Sequence, residues 1–170
     1  MNKKAINIVW FKRDLRFTDH EPLYLAQQEQ LPVLLVYFFE PSVMNYDDSD
    51  VRHWRFIYES IQDLQRKLNA SNSKLYFFHN EANEVFSALI QNFEVKTVFS
   101  HQEIGNKLTF DRDLQMQTFF KEKEINWKES RTNGIIRKLK NRSDWEKRWK
   151  TTMTSEPKLI DEENTNFLKL

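Results

Sequence analysis

The chain has 170 residues, of which 39% are hydrophobic and 14% aromatic, so it carries enough apolar surface for one folded domain. It contains no cysteine, which excludes disulfides, thiolate metal sites and cysteine nucleophiles and fits a reducing compartment. The net charge of +1 hides an asymmetry, because residues 121–150 hold 11 Lys and Arg against 5 Asp and Glu. We expect this basic block to be a solvated or domain-docking face rather than a nucleic-acid site.

The N-terminus predicts neither a signal peptide nor a membrane span. Residues 1–4 lead into a short apolar stretch that ends at Phe11, and Lys12, Arg13 and Asp14 follow directly. An apolar stretch this short cannot cross a bilayer. We therefore expect a cytoplasmic protein with no membrane partner.

Strand and helix patterns alternate along the first 130 residues. Residues 5–11 form the first apolar run of the kind that is buried on both faces of a parallel sheet, and a helix to residue 30 follows, with Asp19 as its candidate N-cap and Pro22 in its first turn. Residues 31–39 predict the second strand. A long helix then begins near Asp50, and its core stripe recurs at gaps of three and four: Trp54, Ile57, Ile61, Leu64 and Leu68.

Shorter elements complete the pattern. We predict a third strand at 75–79, a helix around 85–93, a fourth strand at 95–100, a helix over 108–123 and a fifth strand at 125–128. This order predicts an α/β fold over residues 1–130: a three-layer, Rossmann-like, open parallel sheet of five strands with helices on both faces. Ligands of such sheets bind at the carboxyl ends of the strands.

Residues 131–170 predict a helical tail. Trp145, Trp149 and Met153 lie four apart on one helix, whereas residues 155–170 lack strong periodicity. Two tryptophans on a terminal helix are expected to pack against other residues, because each side chain can bury about 150 Å² or more. The tail therefore either folds back or packs against a further domain.

Two common kinds of chemistry are absent from the sequence. The chain has only Gly105 and Gly134, so it has no glycine-rich nucleotide or phosphate loop. The histidines, which are His20, His53, His79 and His101, lack metal-site spacing, so we predict no metal site and expect ordinary surface or strand-end residues. A hydrolase or transferase that uses His79 or His101 is a remaining alternative, although no nucleophile elbow accompanies either residue.

Several separated motifs resemble one family. The run WFKRDLR at residues 10–16, followed by Asp19 and Pro22, resembles the opening signature of the photolyase and cryptochrome family. The resemblance extends over about residues 5–153 through four further blocks, which are Val36-Tyr37 with Pro41, Trp54-Arg55-Phe56, SHQEIGN at 100–106 with DRD at 111–113, and NRSDW at 141–145 with Arg148-Trp149.

The resemblance implies a light-harvesting role. In that family the α/β domain holds or covers an antenna chromophore, which is a folate, lumazine, deazaflavin or flavin, while a larger helical domain binds FAD and damaged DNA. We expect the present chain to lack that FAD-binding domain and to have no lyase activity alone, with damaged DNA reached only through a full-length parent that repairs DNA or signals. The alternative is a stand-alone small-molecule or nucleotide-binding module on a Rossmann-like fold.

Candidate chromophore contacts follow three strands, and no catalytic residue is predicted. They are Trp10, Lys12, Arg13 and Asp14 after the first strand, Phe39 and Glu40 after the second, and His101, Glu103 and Asn106 after the fourth. The competing interpretation makes Trp10 sheet core and makes Arg13, Asp14 and Arg16 an ion-pair cluster. Gly105 and Asn106 stand where some folate-binding members carry Asn and then Glu, which weighs against folate.

Overall fold

Five parallel strands form one sheet in the order β3-β2-β1-β4-β5. The computed structural model describes residues 3–69, 72–137, 139, 141–161 and 164–169. The strands are β1 Lys4–Phe11, β2 Val33–Phe38, β3 Leu75–Phe78, β4 Phe93–His101 and β5 Asn126–Ser130. The helices are α1 Glu21–Gln27, α2 Pro41–Met44, α3 Val51–Leu68, α4 Ala82–Asn92, α5 Lys107–Glu122 and α6 Trp145–Met153. The sheet order reverses between β1 and β4, and a ligand crevice forms at such a point in open sheets.

The sheet separates two apolar clusters, because side chains on each strand point alternately to opposite faces. Ile8 and Trp10 of β1 belong to the cluster that includes apolar residues of α4 and α5. Val9 and Phe11 belong to the other cluster, together with apolar residues of α1 and α3. Helices therefore cover both faces, and the predicted three-layer α/β fold is confirmed.

The helix predictions need two corrections. The short α2 was not predicted. The N-cap of α1 is His20 rather than Asp19, since the His20 ring accepts a hydrogen bond from the Leu23 N–H at 3.1 Å. On α5, Leu114 is exposed, whereas Thr109 and Asp113 are buried beside the apolar Met116 and Phe120. The long helix α3 buries the C-terminal part of its predicted stripe, which is Ile61, Leu64 and Leu68.

The last described residues return to the sheet. The Asp161 N–H donates to the Gln27 side-chain oxygen at 3.1 Å, which fastens this segment over α1. The Val33 N–H donates to the Asn166 carbonyl and the Leu168 N–H donates to the Val33 carbonyl, each at 2.8 Å. The Leu168 side chain is buried in the core. The end of the tail therefore folds back along the start of β2, whereas α6 leaves both of its tryptophans partly exposed.

Candidate functional site at the carboxyl ends of the strands

A cavity of about 600 Å³ opens at the carboxyl ends of β1 and β2. Its walls come from the loop after β1, the residues after β2, the first half of α3 and the start of α5. Tyr37, Phe38, Trp54 and Phe56 supply aromatic surface. Pockets of ~300–1,000 Å³ with apolar walls and a few polar groups are the usual size and composition of small-molecule sites.

Arg112 is the centre of a buried charge network behind this cavity. Its guanidinium donates to Glu40, to Glu103 Oε2 at 3.0 Å and to Asp113 Oδ1 at 2.9 Å. Burial opposes the charged form, but these three carboxylates outweigh it and raise the pKa of Arg112 above the ordinary arginine range. Arg112 therefore stays charged and joins α5 to the loops after β2 and β4.

Lys12 is held in the same network. Its ammonium lies 2.7 Å from Asp113 Oδ2 and packs over the rings of Trp10 and Trp127, at 4.4 and 5.1 Å from their centroids. Burial lowers the pKa of Lys12, while Asp113 opposes that change. Lys12 thus fastens the loop after β1 to α5.

Two polar residues of the loop after β4 are also engaged within the protein. Glu103 Oε1 accepts the backbone N–H groups of Ile104 and Gly105, at 3.0 and 2.7 Å, and lies 3.2 Å from Arg13 Nε. Asn106 caps α5 through Thr109 N–H, and its amide donates to the Asp48 carboxylate at 3.0 Å. Both side chains therefore shape the cavity, and a ligand would have to share or replace their existing partners.

Glu40 is the exception among the buried polar groups of the cavity wall. Its Oε1 pairs with Arg112, but its Oε2 accepts no hydrogen bond of ordinary geometry among the described residues. Burial raises the pKa of Glu40, although Arg112 and the nearby Ala82 N–H favour the charged form. A buried acceptor without a partner is costly, so this oxygen is a candidate contact for a ligand N–H or O–H.

Asp14 forms a separate buried cluster with two histidines. Its Oδ2 accepts from His20 Nε2 at 2.8 Å and from His101 Nδ1, and its Oδ1 accepts from Lys12 N–H at 2.7 Å. Burial opposes ionisation of Asp14, but the hydrogen bonds from His101 and His20 prevail and lower its pKa. The cluster connects the loop after β1 to α1 and to the end of β4.

The same three residues have the composition of a metal site, and their ligand atoms lie within 4.8 Å of one another. The hydrogen bonds favour a structural role. His20 Nδ1 accepts from Leu23 N–H, so Nε2 carries the ring proton and donates it to Asp14. A metal on Nε2 would require an imidazolate, whereas metal-bound histidines normally donate their second N–H. We therefore interpret this cluster as a hydrogen-bonded lock.

Seven of the nine predicted contact residues line the cavity, namely Trp10, Lys12, Arg13, Asp14, Glu40, Glu103 and Asn106. Phe39 and His101 are not among the lining residues. Phe39 packs against Tyr37, Trp54 and Phe77, while His101 is buried beside Asp14 and His20. Trp10 is only 1% exposed and belongs mainly to the core, as the competing interpretation held. Chromophore contact by any of the nine stays a prediction.

The predictions for the other histidines have different outcomes. His20 is buried, so its assignment as an ordinary surface or strand-end residue was wrong. His79 is exposed just beyond β3 and borders a different groove, as expected for a strand-end surface residue. Arg16 donates to the carbonyls of Thr18 and Asp19 and is not part of the expected ion-pair cluster.

The α3 wall of the cavity was not predicted from the sequence. It is lined by His53, Trp54, Ile57 and Ser60 of α3 and by Ser49 just before that helix. Trp54 and Ile57 were assigned to the core stripe, because position in a helical stripe does not reveal that the first turns of α3 extend past the sheet.

None of the helices that the structure describes is long and apolar enough to cross a membrane.

Comparison with known proteins gives the family. The model of the DNA photolyase family matches residues 7–152. Cryptochrome DASH from Gloeobacter violaceus is 33% identical over 121 residues, which cover 68% of this chain and 24% of that protein. Cryptochrome DASH from Synechocystis is 29% identical over 116 residues, covering 65% of this chain and 24% of that protein. The chain thus spans about a quarter of the length of these relatives.

Solved structures share the fold. A photolyase from Sulfolobus tokodaii superposes with a TM-score of 0.74 at 20% identity, covering 92% of this chain and 37% of that one. A class III photolyase from Agrobacterium tumefaciens gives 0.71 at 18% identity, covering 100% of this chain and 36% of that one. With the family match over most of its length, the chain belongs to the DNA photolyase family.

Proposed function

We propose that this chain is the antenna-chromophore domain of a photolyase or cryptochrome-type flavoprotein and that the cavity at the carboxyl ends of β1 and β2 holds the chromophore. The proposed ligand is a folate, lumazine, deazaflavin or flavin. The observation that carries the proposal is an aromatic-walled cavity of about 600 Å³ at the carboxyl ends of β1 and β2, beside the point where the sheet order reverses.

The residues of the cavity suit a light-absorbing ligand better than a reacting substrate. Energy transfer requires a fixed distance and orientation, which a rigid aromatic pocket provides without acid–base groups. The charged side chains behind the cavity are bound to one another, and His101 is held by Asp14. The buried Glu40 Oε2 is suited to accept a ring N–H of a planar heterocycle.

The chemistry of the family would lie elsewhere in the parent protein. In this proposal residues 131–170 lead toward a helical domain that binds FAD, damaged DNA is bound only by the full-length protein, and the present chain alone has no lyase activity. This chain covers 37% and 36% of the length of two solved photolyases. Each of those proteins is therefore nearly three times as long as the part that matches this chain. The Sulfolobus tokodaii photolyase contains two FAD molecules, which were taken to imply a novel light-harvesting cofactor. A cytoplasmic location is part of the proposal.

Equilibrium dialysis against each chromophore class tests the proposal. A Phe in place of Ser60, which lines the cavity from α3, fills the space that a ring would occupy. Ser87→Phe on α4 is the matched control, because both serines are half-buried on a helix and donate to the carbonyl four residues earlier. We expect one chromophore class to bind to the wild type and to Ser87→Phe, and Ser60→Phe to lose at least about 10-fold in affinity.

Two results would overturn the proposal. Equal binding by both variants would place the ligand outside the cavity. Binding of an unrelated small molecule, with none of the four chromophore classes bound, would instead favour the stand-alone binding module.

A further inference from the structure

The segment between β5 and α6 contains the one Asn-Gly pair of the sequence, Asn133-Gly134. Asn133 is half-buried, and its Oδ1 accepts a hydrogen bond from the Ile135 N–H at 2.9 Å. This bond makes an Asx turn, in which the side chain folds back along its own main chain. The Asn133 side-chain carbonyl therefore lies beside the peptide bond that follows it.

The nitrogen of that peptide bond has no competing interaction. No described residue accepts a hydrogen bond from the Gly134 N–H, although Gly134 is buried, and buried N–H groups without a partner are rare. Glycine also has no side chain to shield its nitrogen from the Asn133 carbonyl. A Cβ atom at this position would overlap the Trp149 ring, which packs against Gly134 and holds it in place.

The surroundings favour attack of this nitrogen on the side-chain carbonyl. The Ile135 N–H that donates to Asn133 Oδ1 can stabilise the negative charge that develops on this oxygen during attack. A neighbouring cleft adds positive charge, and its lining sets one acid, Asp144, against Arg131, Lys147 and Arg148. Nearby positive charge favours the deprotonated form of an amide nitrogen.

We propose that Asn133-Gly134 is a site of spontaneous covalent modification, at which Asn133 converts to aspartate and isoaspartate. The Gly134 nitrogen loses its proton and forms a bond to Asn133 Cγ, and the side-chain nitrogen takes up a proton and leaves as ammonia. Water then adds to either carbonyl of the resulting cyclic imide. Opening on one side gives aspartate, and opening on the other gives isoaspartate. The inference does not depend on the proposed function.

The isoaspartate product changes the packing of α6. It inserts one extra carbon into the main chain between residues 133 and 134, which shifts Gly134 against the Trp149 ring. Trp149 is already 43% exposed, so the shift should uncover it further and move tryptophan emission to the red. Freshly purified Asn133→Asp carries the same added charge without the extra carbon and should keep the emission of the unmodified chain.

Asn141 is a matched control within the same chain. Its Oδ1 also accepts the N–H of the residue two positions later, Ser143, at 3.2 Å. Asn141 is more exposed than Asn133, but Arg142 follows it in place of a glycine. The two sites therefore share the Asx turn and differ in the side chain beside the attacking nitrogen.

The test incubates the full chain at mildly alkaline pH and measures both sites in one peptide. Cleavage after glutamate releases residues 130–146, which contain both asparagines, and chromatography with mass spectrometry separates the aspartate and isoaspartate forms. We expect isoaspartate to form at Asn133 at least about 10-fold faster than at Asn141, because small departures from the attack geometry can cost ~100-fold in rate. The rate should rise with pH, since the nitrogen reacts in its deprotonated form.

Two variants test the geometry in opposite directions. Gly134→Ala should slow the reaction at Asn133 by about 10-fold or more, because the added methyl group obstructs the attack. Arg142→Gly changes an exposed position and should accelerate the reaction at Asn141 by about 10-fold, since it completes the same arrangement there.

Any of three results would overturn the inference. The first is equal conversion of Asn133 and Asn141 in the wild type, or none at Asn133. The second is a product that contains aspartate alone, because direct hydrolysis of the side chain gives no isoaspartate. The third is an unchanged rate at Asn133 in Gly134→Ala.

Discussion

The two glycines of the chain lie in regions that differ in whether charged side chains are paired. Around Gly105, in the loop after β4, the buried cations and carboxylates are bound to one another, and Arg112 alone contacts three acids. Around Gly134, beside α6, three cations have no acidic partner among the described residues and two tryptophans are partly exposed. Paired charges fix the side chains that form the cavity wall, whereas unpaired charges and exposed aromatic rings remain accessible to a binding partner.

Removal of Arg112 should have the largest effect on stability. Arg112→Leu leaves Glu40, Glu103 and Asp113 without their shared cation in a buried setting, so we expect a loss of about 3–5 kcal/mol in the free energy of unfolding. Arg148→Leu on α6 removes an unpaired exposed cation and should stay within about 0.5 kcal/mol of wild type. Urea denaturation of both variants measures the difference. Equal losses would remove the contrast between the two regions.

Residues of the tail differ in how deeply they are buried, and two leucine substitutions test whether that difference affects stability. Leu168→Ala should destabilise the protein by about 2 kcal/mol, because Leu168 is buried in the core beside β2. Leu159→Ala is the control, since Leu159 is 80% exposed, and its effect should be less than about 0.5 kcal/mol. Thermal unfolding of the two variants provides the comparison. Similar melting temperatures would show that the tail does not dock along β2 in solution.

The glycines themselves test how tightly each region is packed. A Cβ at Gly105 would meet Arg13, Glu103 and Thr109, of which the buried Glu103 and Thr109 are held by further hydrogen bonds, so Gly105→Ala should cost about 2 kcal/mol. A Cβ at Gly134 would displace only the half-exposed Trp149 ring, so Gly134→Ala should cost less than about 1 kcal/mol and shift tryptophan emission to the red. Denaturation and emission spectra measure both. The reverse order of the two costs would contradict this account.

The histidine lock predicts a smaller, pH-dependent effect. Burial lowers the pKa of His20, and its Nδ1 must stay unprotonated to cap α1. The unfolded chain therefore binds a proton more readily below about pH 6.5, and stability falls with decreasing pH by up to ~1.4 kcal/mol per unit until the lowered folded pKa is reached. The lowered pKa of Asp14 adds a further loss that begins only near pH 4.

Two variants check the assignment of this pH dependence. His20→Asn keeps a side-chain acceptor for the α1 N-terminus but removes the titrating ring, so it should flatten the stability profile between pH 6.5 and 5. His79→Asn, at an exposed position, should leave the slope of the profile unchanged. An unchanged slope in His20→Asn would assign the acid sensitivity to other groups.

The sheet and the place of the cavity were predictable from the sequence for a physical reason. The central strands β1 and β2 are nearly continuous apolar runs, which only a parallel sheet covered on both faces can bury, and that fold places binding groups at the strand ends. The helix boundaries were less certain because capping depends on one side chain. His20 rather than Asp19 caps α1, since the same ring also donates to the buried Asp14.

Contacts between distant segments were beyond the sequence patterns. The Asp14–His101 hydrogen bond joins residues 87 apart, and nothing in local spacing indicates it. The return of Leu168 to Val33 uses backbone groups, which leave no periodicity in the sequence. Trp54 of α3 satisfied the stripe of a core helix and yet lines the cavity, because the stripe does not show where the sheet ends.

The central claim is that the paired-charge region encloses a chromophore site, and the absorption spectrum of the gently purified chain tests it most directly. The spectrum is recorded before and after incubation with folate, lumazine, deazaflavin and flavin, followed by removal of free ligand. We predict a near-ultraviolet or visible band at about one chromophore per chain for one of the four classes. A spectrum that shows only protein absorption after all four incubations would contradict the claim.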